Sequence, residues 1–232
     1  MKTPGMGSGQ KFWTLLSPAE RDALSNLGVA QDYPAGETIC HQGDPAVNVF
    51  ILVTGWVKIV SYTDGGRESV LALRGDGEIV GETGPETTGQ RNATIKAIDD
   101  VHALIVRYDR FNSFLDSSPR AGRAYRHMVM VRWKDADMML RIRPITTGAQ
   151  RLARLLLDLA DLHGRVVNGA VHLEMPLTQD ELASLAGTSR PTVTRAFRSW
   201  RNRGFIRTGQ RHIAILDQAA LAKIAGQQTD GG

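Results

Sequence analysis

The thirty residues 177–206, LTQDELASLAGTSRPTVTRAFRSWRNRGFI, constrain the fold more than any other part of the chain. Thr178 is followed three residues later by Glu181, and this capping box predicts the start of a short helix. Gly187 predicts its end, because helix C-termini favour glycine in the left-handed region. Ser189 then predicts the N-cap of a second helix. Two short helices joined by a glycine turn are the layout of a helix-turn-helix.

The second helix separates apolar from basic side chains. Val193, Phe197 and Trp200 recur at helical spacing and predict a buried face. The residues predicted on the outer face of the helix are Arg190, Thr194, Arg195, Arg198 and Arg201. Residues 190–211 contain seven arginines and no acid, and residues 148–232 hold the whole net charge of +4, with 11 Lys and Arg against 7 Asp and Glu. This distribution indicates a polyanionic partner.

A predicted hairpin follows the second helix. The segment GFIRTGQRHIAIL has Gly209 and Gln210 at its tip, and it predicts the wing of a winged helix. Before the motif, Leu152, Leu155 and Leu159 give the apolar face of another helix. The alternative is a three-helix bundle with a structural role only.

The pattern in the first half of the chain is that of strands. Short β-prone runs separated by turn residues fill residues 33–108, and Asp64-Gly65-Gly66 predicts a hairpin. Such a pattern predicts a small barrel or jelly roll, which can enclose one ligand. A capping box at Ser17 and Glu20 predicts a helix before it.

A long helix is predicted from about Ser118 to Ile145. One apolar stripe includes Met128 and Val131, and a second includes Val129 and Trp133. Two stripes predict a helix that buries one face on its own domain and the other on a partner copy. A single buried core helix is the alternative. Pro144 and the residues after it predict a hinge.

Composition excludes several classes of protein. Cys40 is the single cysteine, so an intrachain disulfide, a four-cysteine iron–sulfur cluster and a cysteine-rich zinc site are excluded. Together with the absence of an apolar signal segment or bilayer-length apolar run, this predicts a cytoplasmic protein without membrane contact. No catalytic constellation and no metal site emerge, so we expect no enzyme.

The segment VGETGPETTGQRNATI, residues 80–95, is rich in glycine and threonine. A glycine-rich loop lets backbone N–H groups approach a ligand, and Arg91 offers a fork of donors that suits a phosphate. Taken alone, the segment is better explained as an ordinary surface turn with a solvated arginine.

In combination, AGETICHQGD, GWVKIV, GEIVGE, the long helix and LTQDELASLAGTSRPTVTRAFRSWRNRGFI resemble the CRP/FNR family of bacterial transcription regulators. The resemblance covers the chain from about Phe12 to Leu221. It implies an α+β fold with an effector-binding barrel of the cyclic-nucleotide type over 12–117. A dimerisation helix and hinge over 118–146 and a winged helix-turn-helix over 147–225 are implied to follow.

For the effector, the resemblance places Gly81, Glu82 and Thr83 at a sugar hydroxyl and Arg91 at a cyclic phosphate. Asn92 stands where a Ser or Thr is usual, and it can still donate a hydrogen bond. The adenine-facing positions of the long helix correspond to Ala136 and Asp137, which replace the hydroxyl donors of cyclic-AMP responders. We therefore expect a cyclic nucleotide or cyclic dinucleotide effector, with cAMP, cGMP and cyclic di-GMP all open.

For DNA, the resemblance assigns base reading to Arg190 and Arg195 in the first turns of the second helix. Pro191 replaces a glutamate that many members use, so one base is expected to be read less strictly. The remaining expected DNA contacts are Thr178, Gln179, Ser189, Thr192, Thr194, Arg198, Gln210 and Arg211.

The family resemblance implies a homodimer on an inverted-repeat operator in double-stranded DNA, with contacts to RNA polymerase. Two alternatives remain open. The chain could act without a ligand, so that residues 80–95, which correspond to the phosphate-binding cassette of the family, stay empty. It could also be a ligand-binding module whose basic face contacts a membrane or a protein. The operator sequence, the choice between activation and repression, and the role of Cys40 are not specified by the sequence.

Overall fold

A computed structural model describes residues 11–62, 66, 68–142, 147–173, 177–209 and 212–226. For residues 134–142, 162 and 163 the description is limited to the backbone. The chain divides into two compact units between residues 134 and 135.

Two antiparallel four-stranded sheets build the first unit, with strand orders β1-β8-β3-β6 and β2-β7-β4-β5. The predicted jelly-roll pattern is therefore confirmed. Helices flank the sheets at both ends of the segment. The elements are α1 Phe12–Leu15, α2 Pro18–Leu27, β1 Gly28–Tyr33, β2 Thr38–Cys40, β3 Asn48–Thr54, β4 Val57–Tyr62, β5 Glu68–Arg74, β6 Ile79–Val80, α3 Thr83–Thr87, β7 Thr94–Ala97, β8 Val101–Arg107, α4 Tyr108–Ser117 and α5 Pro119–Ile142, which continues past the boundary between the units.

The position of strand β3 between two cores explains why its sequence is almost continuously apolar. Phe50 and Leu52 point into a core between the two sheets, whereas Val49 and Ile51 point to a second core under the helices. Because side chains alternate along a strand, a strand buried on both faces needs apolar residues at every position.

The helical core contains an aromatic cluster. Phe12, Phe111 and Tyr125 meet edge to face, with ring centroids 5.4 to 6.5 Å apart. Tyr125 and Met128 bring one face of α5 onto this core. Met128 of the first predicted stripe thus packs on this core, and the packing of the rest of that stripe stays a prediction.

The second unit has a four-stranded antiparallel sheet of order β11-β12-β10-β9 beside four helices of the described segment. Leu152, Leu155 and Leu159 are buried as predicted. The elements are α6 Gly148–His163, β9 Arg165–Val167, β10 Ala170–Leu173, α7 Gln179–Leu185, α8 Arg190–Asn202, β11 Ile206–Gly209, β12 His212–Ile215 and α9 Gln218–Ile224.

Local signals place the helix-turn-helix where the sequence predicts it. Thr178 and Glu181 form a complete capping box at α7, and Gly187 follows α7 with a φ of 58°. Ser189 is the N-cap residue of α8, but its side chain bonds no helix N–H. Its hydroxyl lies 3.0 Å from the Thr192 hydroxyl instead, so the predicted side-chain cap is wrong.

Some predicted features lie outside the described residues. They include the hairpin tip at Asp64 and Gly65, the hinge residues 143–146, and Gln210 and Arg211. Within the described part of the chain, no helix combines the length and apolar character of a membrane span. The same residues contain no group of three or more His, Cys, Asp or Glu side chains that could hold a metal ion.

Candidate functional site: an anion cassette and a DNA-reading helix

The cassette that follows β6 is folded back onto the loop before β3. The Arg91 N–H donates to the Asp44 carbonyl over 2.8 Å, and the Gly43 N–H donates to the Arg91 carbonyl over 2.9 Å. Gly81 has a φ of 78°, in the left-handed region that glycine tolerates. A Cβ at Gly81 would lie 2.5 Å from Arg91 Nη1, so a side chain at this position would require the guanidinium to move.

Arg91 carries a buried positive charge. Its side chain is 5% exposed, and its guanidinium carbon lies 5.0 Å from the centroid of the Phe50 ring. Nη1 donates to the Gly81 carbonyl over 2.8 Å, while Nε is buried with no hydrogen-bond partner among the described residues. Those residues also provide Arg91 with no carboxylate within ion-pair distance. Buried charges are normally paired, so this arrangement fits an anionic group of a ligand.

Glu82 has a protein partner that sequence reasoning misses. Arg132 of α5 donates from Nη1 to Glu82 over 2.6 Å and from Nη2 to the Ile79 carbonyl over 2.9 Å. Its Nη2 also lies 3.2 Å from Glu78, whose carboxylate is 3.5 Å from Arg74. No linear signal marks Arg132, because its partners lie about fifty residues away in the chain.

The carboxylates and guanidiniums of this cluster are paired. Glu78 and Glu82 contact Arg74 and Arg132, and all four side chains are at most 18% exposed. Arg91 lies outside these pairs, and the described residues give it no carboxylate partner. Its charge lies in a largely desolvated setting, where charges interact more strongly than in water.

The other predicted effector residues divide into two groups. Thr83, which opens α3, and Asn92 are both exposed, and no described contact joins either side chain to Glu82 or Arg91. Ala136 and Asp137 lie on the helical backbone of α5, and their side chains are outside the described part of the structure. The structure thus brings together Gly81, Glu82 and Arg91 from the predicted set.

Cys40 lies in the core between the two sheets. Burial raises the pKa of its thiol, and the nearby Arg91 guanidinium opposes this shift only in part. A buried thiol with a raised pKa is a poor nucleophile at neutral pH. Cys40 therefore contributes packing to the wall beside Arg91.

In the second unit, α8 separates its faces as predicted. Val193, Phe197 and Trp200 are at most 4% exposed. The predicted DNA contacts Ser189, Arg190, Thr194, Arg195 and Arg198 are exposed together with Thr178, while Gln179 and Thr192 are half-buried.

Side-chain contacts connect the first turn of α7 to the first turns of α8. The Thr194 hydroxyl donates to the Gln179 side-chain oxygen over 2.7 Å. Arg190 Nη1 lies 3.3 Å from the Asp180 carboxylate. Sequence reasoning misses Asp180, which lies ten residues before Arg190 in the chain.

The turn between these helices is fixed from α6. Arg151 donates from Nε to the Ala186 carbonyl over 2.9 Å and from Nη2 to the Gly187 carbonyl over 2.7 Å. These carbonyls follow the end of α7 and lack helical partners of their own. Arg151 therefore sets the orientation of the turn that positions the N-terminus of α8.

A third surface lies on α5. Val129, Met130 and Trp133 are 39%, 58% and 67% exposed. Three large apolar side chains on one stretch of helix form a patch of the kind found at protein interfaces.

Comparison with known proteins supports both halves of this description. The cyclic nucleotide-binding domain family matches residues 30–118, and the Crp-like helix-turn-helix domain family matches residues 150–224. A CRP-like cAMP-activated global transcriptional regulator of Mycobacterium tuberculosis is 30% identical over 90% of this chain and 94% of its own length.

Solved structures show the same fold. The catabolite activator protein of Thermus thermophilus is 27% identical, covers 94% of this chain and 99% of its own, and superposes with a TM-score of 0.53. The c-di-GMP responsive regulator CLP of Xanthomonas campestris, at 22% identity, covers 86% and 99% with a TM-score of 0.74. The chain belongs to the CRP/FNR family of DNA-binding transcription regulators, which are not enzymes.

Proposed function

We propose that this regulator binds DNA as a homodimer and that an anionic effector in the cassette modulates its operator affinity. The effector class is a cyclic nucleotide or cyclic dinucleotide. Arg91 carries this proposal, because its buried guanidinium has an unpartnered Nε and no carboxylate partner among the described residues. A phosphate group supplies both the acceptor and the counter-charge that this guanidinium lacks.

The charge of Arg91 favours a phosphodiester. Glu78 and Glu82 are engaged by Arg74 and Arg132, whereas Arg91 has no carboxylate partner among the described residues, and a cyclic phosphodiester carries one negative charge per phosphate. The cAMP-activated relative from Mycobacterium tuberculosis supports the same class of ligand.

We further propose that the base is not held as in cyclic-AMP responders. Asn92 and the Ala136-Asp137 pair replace hydroxyl donors at the positions named by the resemblance. Losing such hydrogen bonds, each worth about 0.5–1.5 kcal/mol, weakens cAMP by about tenfold when both subunits are affected. A carboxylate at Asp137 favours a donor-rich base edge such as guanine, so a guanine nucleotide is the second candidate.

Calorimetry with cAMP, cGMP and cyclic di-GMP tests the effector. We expect one of them to bind the wild type and to lose about ten- to hundred-fold in affinity in Arg91→Ala, because a charge-assisted hydrogen bond contributes about 1.5–3 kcal/mol. Arg107→Ala is the matched control, since Arg107 is an exposed arginine of the same unit. Asp137→Ala should remove any preference for guanine.

An absence of binding by all three nucleotides would contradict the effector proposal. The chain would then be a regulator with an empty cassette. Binding that Arg91→Ala leaves unchanged would instead move the site away from the cassette.

We propose that the exposed patch of Val129, Met130 and Trp133 is the dimer interface. Two copies of α8 related by a two-fold axis would enter successive major grooves, so the selected operator should be an inverted repeat with half-sites about one helical turn apart. Contacts to RNA polymerase follow from the family alone. Sedimentation of the wild type and Trp133→Lys tests the interface, and operator selection from random DNA tests the dyad. A monomeric wild type or an operator without a dyad would contradict this part.

A further inference from the structure

Asp180 places a negative charge within the DNA-facing surface of the helix-turn-helix. It is an exposed residue in the first turn of α7, and its Oδ2 lies 3.3 Å from Arg190 Nη1. Its neighbour Glu181 turns back to cap α7, accepting from the Thr178 N–H over 2.7 Å. The carboxylate of Asp180 faces the arginine instead, at a surface where a polyanion would bind.

A second contact holds the same two helices in register. The Thr194 hydroxyl donates to the side-chain oxygen of Gln179 over 2.7 Å. Gln179 comes one residue before Asp180 in α7, and Thr194 comes one helical turn after Arg190 in α8. Adjacent residues of α7 therefore contact residues four apart on α8, which lie on one face of a helix. Of these two contacts, the one from Asp180 reaches the Arg190 side chain.

The atoms involved leave the base-reading edge of Arg190 unobstructed. With Nη1 engaged by Asp180, the edge formed by Nε and Nη2 remains available, and two parallel donors of this kind match O6 and N7 of guanine. At the same time the carboxylate partly cancels the arginine charge and repels DNA phosphates. The same contact thus favours a guanine edge over backbone phosphates.

We propose that Asp180 is a specificity-determining residue: it orients Arg190 for guanine and suppresses the contacts of Arg190 with phosphates. This inference rests on the proposed base-reading role of Arg190. The side chains of Asp180 and Arg190 are each 66% exposed, and exposed ion pairs contribute little to the stability of the fold. Asp180 therefore acts on the ratio of specific to non-specific binding, and its replacement leaves the fold intact.

The test is fluorescence anisotropy on a selected operator and on random duplex DNA at several salt concentrations. For Asp180→Asn we expect affinity for random DNA to rise about three- to tenfold and the salt slope on random DNA to steepen by up to about one. Affinity for the operator should change by less, so the specificity ratio falls. Asp161→Asn makes the same charge change at an exposed residue of α6, and its ratio should stay at the wild-type value.

Two further variants identify the cause. In the Arg190→Ala background, Asp180→Asn should no longer change the specificity ratio, because its target is gone. Asp180→Glu, which keeps the carboxylate, should restore most of the ratio. An unchanged ratio in Asp180→Asn, or an equal fall in Asp161→Asn, would overturn the inference. If Arg190→Ala alone leaves the base preference intact, the proposed base-reading role of Arg190 is wrong. That result distinguishes a failure of the base-reading role from a failure of the role inferred for Asp180.

Discussion

The carboxylate of Glu82 and the guanidinium of Arg132 lie 2.6 Å apart, joining the cassette to α5 across fifty residues of sequence. Glu82 is the residue that the family resemblance places at the sugar hydroxyl of the effector. Arg132 lies on the helix that also exposes the proposed dimer patch. Under the proposed function, a ligand hydroxyl that engages Glu82 would meet the carboxylate that also binds Arg132 of α5.

Removing Arg132 should destabilise the first unit substantially. Arg132→Ala leaves two largely buried carboxylates without their shared partner, and breaking such a pair costs about 3 kcal/mol or more. The matched control is Arg120→Ala, whose 61% exposed side chain lies 3.8 Å from Glu20 and donates from Nε to the Leu15 carbonyl over 3.0 Å, so its cost should stay at about 1 kcal/mol. Urea unfolding measures both, and equal losses would contradict the assigned role of the Arg132 network.

Removing the charge of Arg91 should cost the ligand-free protein little stability, in contrast to the removal of Arg132. Arg91→Met keeps an unbranched side chain and removes a buried charge with an unpartnered Nε, so the ligand-free protein should lose no more than about 1 kcal/mol. Stabilisation by an effector should vanish in the same variant. Thermal unfolding with and without ligand measures both effects. A large loss in the ligand-free state would show that Arg91 is structural.

Gly81 should tolerate no side chain. Gly81→Ala places a methyl group 2.5 Å from Arg91 Nη1 at a φ of 78°, so the guanidinium must move and the backbone is strained. We expect a loss of about 1–2 kcal/mol in stability and a loss of effector binding. Gly89→Ala is the control, because Gly89 has a similar φ of 74° but open space around its Cβ. Retained effector binding in Gly81→Ala would contradict the close approach.

Several elements follow from local signals in the sequence, and others do not. The Thr178 capping box and Gly187 specify their turns through neighbouring residues, so α7 is predictable. Sequence reasoning misses the hairpin of β9 and β10, although Asn168-Gly169 is a dipeptide typical of two-residue hairpin turns. In the structure these two residues have φ of 50° and 78°, as such a turn requires. Arg132 is not predictable, since its partners become neighbours only when α5 packs on the sheet.

Thr178 and Ser189 should respond differently to loss of their hydroxyl groups. Thr178 accepts from the Glu181 N–H, so Thr178→Ala should cost about 1 kcal/mol of stability. Among the described contacts, the Ser189 hydroxyl meets only the Thr192 hydroxyl, so Ser189→Ala should cost less than about 0.5 kcal/mol. Differential scanning calorimetry of both variants decides this, and a larger loss in Ser189→Ala would contradict the capping assignment.

Acid stability should depend on Glu20. The Ser118 hydroxyl and the Ser17 N–H, hydrogen-bonded to this carboxylate, lower its pKa from 4.5 to about 2. A lowered pKa gives stability that is present above pH 4.5 and lost as the pH falls toward 2. Glu20→Gln should therefore show a smaller fall in melting temperature across this window than the wild type. Parallel curves would contradict the assignment.

The most direct test of the central claim is operator affinity, measured by anisotropy while the nucleotide identified by calorimetry is titrated. For the wild type we predict a change in operator affinity of at least about fivefold at saturation, the lower end of common allosteric couplings. For Arg91→Met we predict no change at any concentration of the nucleotide, with basal DNA binding retained. An operator affinity that responds equally in both proteins, or in neither, would contradict the claim that an anionic effector at Arg91 modulates DNA binding.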